Sequence, residues 1–168
     1  MKLLSKCAAT VAITTFGLTA TPHLATSQEL PTAPYLPLEM AVKAATAALE
    51  QCTFDGFKVS VAIVARSGET KVLLKADGSG PHTVGSSQGK AFTSASMGRA
   101  TLGFSAFLAK RPDLNGLRDM DPRLVILGGG LPIKFGGIIV GGIGVGGAPG
   151  ADKDEKCAKA GLVAIGAD

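Results

Sequence analysis

Apolar positions along the chain recur with two different periods, and the changes of period mark the elements. Leu38, Val42, Ala45, Leu49 and Cys52 are spaced 4, 3, 4 and 3 apart, which predicts a helix from about Leu38 to Thr53, stopped by Asp55-Gly56. Lys58 to Ala65 then alternates, with Val59, Val61 and Ile63 against Ser60 and Ala62. Ser67-Gly68-Glu69 turns it into Thr70 to Ala76, so the pair reads as a hairpin, ended by Asp77-Gly78-Ser79-Gly80-Pro81. From Thr83 to Gly98 the period is helical again, with Ala91, Ala95, Gly98 and Leu102 on one face, although Gly85 and Gly89 each cost such a helix up to about 1 kcal/mol relative to alanine. A further helical turn or two runs from Leu102 to Lys110 and ends at Arg111-Pro112.

Residues 128–150 hold 11 of the 23 glycines, interleaved with Ile133, Ile138, Ile139, Val140, Ile143 and Val145. Low complexity is one reading of that density. The other is a pair of buried strands around a Gly136-Gly137 turn, with glycines where a backbone, a side chain or a ligand comes close. Asp152, with Glu155 three positions on, resembles a helix-opening capping arrangement, and Cys157, Gly161 and Ile165 continue as a small-residue face. Helix, two strands, helices, two or three strands, helix is an α+β order without βαβ alternation. The expected architecture is a single antiparallel sheet of about five strands with helices packed on it.

The first 27 residues stand apart. Lys2 and Lys6 precede an apolar stretch from Cys7 to about Ala20, and Ala25-Thr26-Ser27 offers small residues for a peptidase, the pattern of a cleaved secretory signal peptide. An uncleaved anchor is the alternative, but Thr10, Thr14, Thr15 and Gly17 dilute the stretch below the roughly 20 apolar residues of a spanning helix. Export to the periplasm or the extracellular medium, with no membrane span after cleavage, is therefore expected. Residues 28–36, with Pro31 and Pro34, read as an extended lead-in, and residues 37–168 as one domain.

Composition changes this picture little. With 46% hydrophobic and 18% charged residues the chain has a core to build and is not a disordered one. Lys2 and Lys6 are the only charges of the first 27 residues, which leaves 15 basic and 13 acidic residues, a formal charge of +2, on the rest. No basic stripe with interleaved aromatics follows, so nucleic acid is not an expected partner. Past the leader only two cysteines remain, Cys52 and Cys157; in an oxidising compartment they form a disulfide, or they are two buried free thiols on apolar helix faces.

The inventory of reactive side chains is short. Past residue 27 the chain has one histidine, His82, and no HExxH, CxxC or GxSxG motif, so a zinc site or a serine-hydrolase elbow has no sequence support. The run Gly142-Ile143-Gly144-Val145-Gly146-Gly147 imitates a dinucleotide fingerprint loosely, but lies in an expected strand and leads to Pro149 instead of a helix. A single neutral imidazole suffices as an axial ligand to heme iron, which makes His82 a candidate; the plainer reading is an exposed loop histidine at the start of the helix. Lys90 and Arg99 either pair with heme propionates or are solvated, and Met97 and Phe92 either line an apolar pocket or pack in the core.

Several motifs then occur together and in order: Lys58-Val59-Ser60-Val61, Lys75-Ala76-Asp77-Gly78, Pro81-His82-Thr83, Lys90-Ala91-Phe92-Thr93, Gly98-Arg99, Gly128-Gly129-Gly130-Leu131-Pro132-Ile133, Val140-Gly141-Gly142-Ile143-Gly144-Val145 and Asp154-Glu155-x-Cys157-Ala158-x-Ala160-Gly161. From about Leu36 to Ala167 this resembles the GlcG/HbpS-like family, often labelled heme-degrading. The resemblance implies a profilin-like α+β sandwich, homo-oligomers, and heme as the cofactor or ligand. It directs attention to His82, Thr83, Lys90, Thr93, Met97 and Arg99 as ligand-contacting residues, with His82 on the iron. Ala65 stands where the family commonly has Asp, and Gly85 and Gly89 replace residues that would support the second helix. Three functions follow: a heme binder that scavenges or senses heme, an enzyme acting on heme or a small hydroxy acid, and a non-catalytic oligomeric partner-binding protein.

Overall fold

The computed structural model describes residues 28–168. The expected signal peptide, with Cys7 and His23, lies outside the described residues. The chain divides into Met1–Thr32, of which residues 28–32 have no regular structure, and Ala33–Asp168. No helix among the described residues is long and apolar enough to cross a membrane.

The second unit runs α1 (Leu38–Phe54), β1 (Ser60–Ala65), β2 (Thr70–Lys75), α2 (His82–Met97), α3 (Thr101–Ala109), a 3-10 helix (Pro112–Arg118), β3 (Gly130–Phe135), β4 (Ile138–Gly146) and α4 (Ala151–Ala164). The strands form one antiparallel sheet of order β2-β1-β4-β3, four strands where about five were expected. The glycine-rich segment supplies two of them, because Ile138 to Gly146 runs unbroken as a nine-residue strand. Its center pairs Val61 with Val145 and Ile63 with Ile143 on β1.

Both faces of the sheet are covered. Val59, Val61, Ile63, Ile133, Ile143 and Val145 point to one side and build the main core with α1 and α4. Ala62 and Val64 point to the other and meet Ala91 and Ala95 of α2. On that side β4 presents Gly142, Gly144 and Gly146, and a Cβ on Gly144 would lie 2.1 Å from the Ser87 carbonyl oxygen. The period-2 glycines therefore let the α2 main chain rest on the strand, and the close approach expected of them is made by a helix of the same domain.

The helices correct several expectations. In α1 the buried face is Ala41, Ala44, Ala45, Ala48 and Cys52, while Leu38 and Val42 are 59% and 45% exposed. Small residues go inward because α1 and α4 pack closely: a Cβ on Gly161 would lie 2.6 Å from the Ala44 carbonyl oxygen. The face expected to continue from Ala95 through Gly98 to Leu102 breaks at Gly98, whose φ of +66° ends α2 in a left-handed cap, and Leu102 is 38% exposed in α3. Asp152 does not cap α4; Gly150 occupies the N-cap position without a side-chain bond. Leu36, assigned to the lead-in, is buried in the main core.

Cys52 of α1 and Cys157 of α4 form a disulfide across a sequence separation of 105 residues. On the chain-entropy model a loop of about 100 residues is worth about 4.7 kcal/mol.

Candidate functional site

Helix α2 organises the domain, and its middle holds an unusual group. Lys90 is 1% exposed, and its Nζ donates to Asp154 Oδ2 at 2.7 Å and to the Val145 carbonyl at 2.9 Å. Asp154 Oδ1 accepts from the Ala148 N–H at 3.0 Å, so one ion pair ties α2 to the β4–α4 connection. Burial pushes the Asp154 carboxyl up, while the Lys90 ammonium and the N–H groups of Ala148 and Gly147 pull it back. A lysine on one helix and an aspartate 64 positions later carry no mutual spacing signal. The only sequence hint was an acidic residue within the small-residue run of α4.

The other residues singled out from sequence are scattered along α2. Thr83 is buried, bonded to Ser60 Oγ at 2.8 Å and donating to the Gly80 carbonyl at 2.7 Å. Thr93 donates to the Gly89 carbonyl and accepts the Val125 N–H, both at 2.8 Å, and so docks the loop after the 3-10 helix. Met97 packs against Phe104, Leu108 and Ile126. The His82 side chain is at the surface at the start of α2, beside Gly80. Arg99 follows the other end, its guanidinium carbon 5.3 and 5.2 Å from the ring centers of Phe104 and Phe107. Sixteen residues of helix separate the two ends, about 24 Å at 1.5 Å per residue. His82 and Arg99 thus do not share a site of porphyrin dimensions, and Lys90, Thr83 and Thr93 have structural partners.

Two concavities flank α2. The smaller, about 270 Å³, lies over its middle, bounded by Thr70, Gln88, Gly89, Phe92 and Arg123. Arg123 covers the Phe92 ring at 4.0 Å and is held by Asp121, whose carboxyl that guanidinium lowers to about 2. Gly89 is needed there, since a Cβ would meet Val125 Cγ2 at 2.3 Å, whereas a Cβ on Gly85 would meet open space. The larger is an open groove of about 760 Å³ between the α2–α3 junction, β3 and the C-terminal half of α4. Ala100, Leu131, Pro132, Leu162 and Val163 form its apolar walls, and Arg99, Lys134 and Lys159 place three cations on it. Asp168 is the acid at one end, its Oδ2 accepting the Gly137 N–H at 2.9 Å. Lys159 also pairs at 3.0 Å with Glu155, whose other oxygen is buried without a partner. Arg99 was noted from sequence; Lys134 and Lys159 were not, because only the packing of α4 against β3 brings them beside it.

These features define a single-sheet α+β domain with helices on both faces and a cation-edged apolar groove at the end of the second helix. Residues 36–163 match the family model described as haem degrading protein HbpS-like, and the chain belongs to that family. A double glutamate-to-aspartate variant of Streptomyces reticuli HbpS is 43% identical, with a TM-score of 0.76 over 86% of this chain and 97% of that one. The PduOC:heme complex is 25% identical, with a TM-score of 0.74 over 80% and 98%. ORFY of Klebsiella pneumoniae shares the fold at 24% identity, with a TM-score of 0.77 over 84% and 98%. No curated protein matches the chain.

Proposed function

We propose that this protein binds heme reversibly in the groove between α4, β3 and the α2–α3 junction, and that binding, for scavenging or sensing, is its function. The groove carries the reading. A porphyrin has two apolar faces and two carboxylates, and this groove offers aliphatic walls with Arg99, Lys134 and Lys159 beside them, in a volume within the usual range of about 300 to 1,000 Å³ for ligand sites. Membership of the HbpS-like family and the heme complex of PduOC support the choice of ligand. The residues fit the macrocycle and its carboxylates; they do not provide an imidazole, thiolate or thioether for the iron.

The same proposal includes export, supported by the leader pattern of residues 1–27 and by the Cys52–Cys157 disulfide, a bond that persists in oxidising compartments. It includes self-association, supported by the exposed apolar residues Tyr35, Leu38 and Ile138. A heme titration followed in the Soret band tests the central claim. Saturation near one heme per chain is expected, and a featureless, non-saturating titration overturns it. N-terminal sequencing of the exported protein and light scattering check the other two parts.

A further inference from the structure

We infer that the groove recognises the carboxylates and apolar faces of a porphyrin and not its iron, so that metal-free protoporphyrin IX binds there as heme does. The inference rests on the heme reading above and concerns what that site selects. Among the described residues, the imidazole, phenol and thioether groups that serve as axial ligands belong to His82, Tyr35, Met40, Met97 and Met120, and none of them lines the groove. His82 stands at the far end of α2, Met97 packs into the Phe104 cluster, and both cysteines of the domain are in the disulfide.

What does face the groove is suited to carboxylates. Arg99 is held over two aromatic rings, which fixes its planar fork of donors without using them, and arginine binds a carboxylate through two parallel hydrogen bonds. Lys159 has a 64% exposed side chain but pairs with Glu155, whose side chain is only 11% exposed and whose other oxygen is buried without a partner, so it stays with that carboxylate. The second cation open to a porphyrin carboxylate is Lys134, from β3. Leu131, Pro132, Leu162 and Val163 bring no polar atom of their side chains to the macrocycle face. The selectivity of such a site comes from charge and flatness, and the metal at the ring center contributes nothing to it.

The test compares the wild type and three variants of the whole protein with three probes: heme by Soret titration, and protoporphyrin IX and its dimethyl ester by fluorescence anisotropy. For the wild type, heme and protoporphyrin IX should bind within about threefold of each other, and the dimethyl ester about tenfold or more weaker, the loss of charge-assisted hydrogen bonds. Arg99→Glu and Lys134→Glu, both on the groove surface, should each weaken both free-acid porphyrins about tenfold with the circular dichroism unchanged. His82→Ala should alter neither. Heme binding without protoporphyrin binding, loss of binding in His82→Ala, or indifference to both charge reversals overturns the inference while leaving a heme protein. Absence of heme binding overturns the heme reading and the inference with it, whether or not protoporphyrin IX binds.

Discussion

Replacing Gly144 by alanine probes the contact on which the domain is built. The added Cβ would lie 2.1 Å from the Ser87 carbonyl oxygen and 2.5 Å from the Ala91 nitrogen, where ordinary contact begins at 3.4 Å. Both obstacles are helix main chain, so no side-chain rotation relieves them, and α2 must lift from β4 by about 1.3 Å. A gap of that size removes much of the dispersion contact among Ala62, Val64, Ala91 and Ala95, since 0.5 to 1 Å already forfeits a quarter to a half of it. Overpacking costs about 1 to 3 kcal/mol in general, and the unyielding main chain puts Gly144→Ala at about 3 kcal/mol. Gly85→Ala is the matched control in the same layer. It meets open space and removes a helix-interior glycine, so it should stabilise by up to about 1 kcal/mol. Gly161→Ala, 2.6 Å from the Ala44 carbonyl, should fall between them. Urea unfolding followed by far-ultraviolet circular dichroism measures all three. The reasoning is refuted if Gly144→Ala stays within about 0.5 kcal/mol of wild type, or if Gly85→Ala destabilises as much as Gly144→Ala does.

Two further outcomes are expected. Lys90→Met or Asp154→Asn alone should cost about 3 to 5 kcal/mol, because each leaves a buried partner unpaired, while the double variant Lys90→Met/Asp154→Leu should recover a large part of that loss; additive single and double losses in urea unfolding would contradict it. Asp121 is lowered by the Arg123 guanidinium from an ordinary 3.8 to about 2, so between these values the folded chain holds fewer protons there than the unfolded one. Its pairing should thus support the Arg123 loop fully above about pH 4 and be lost as pH falls through about 2. The carbon-13 carboxyl titration of Asp121 should have its midpoint near 2 and return toward 3.8 in Arg123→Gln; an unshifted wild-type midpoint would count against the pair.

Much of this protein is local and therefore written in the chain. Period 2 in Val59, Val61 and Ile63 and the Gly136-Gly137 turn each depend on a few neighbouring residues, so the strands and helices are legible with boundaries a residue or two off. The motif order from Lys58 to Gly161 was enough to indicate the family, and the residue match over 36–163 agrees. Which face of a helix is buried was less legible: the 4-3-4-3 spacing pointed to Leu38 and Val42, but a partner approaching to main-chain distance selects alanines over large side chains. The site was legible only in part. Arg99 was visible as a basic residue after a helix, whereas Lys134 and Lys159 reach the same groove from elements 25 residues apart, and Lys90, which resembled a surface cation, is neutralised by Asp154 from 64 positions away. Secondary structure and family follow from short-range sterics and periodicity. The groove and the buried ion pair were decided by how α2 and α4 settle on opposite faces of one sheet, a long-range packing choice that no local spacing encodes.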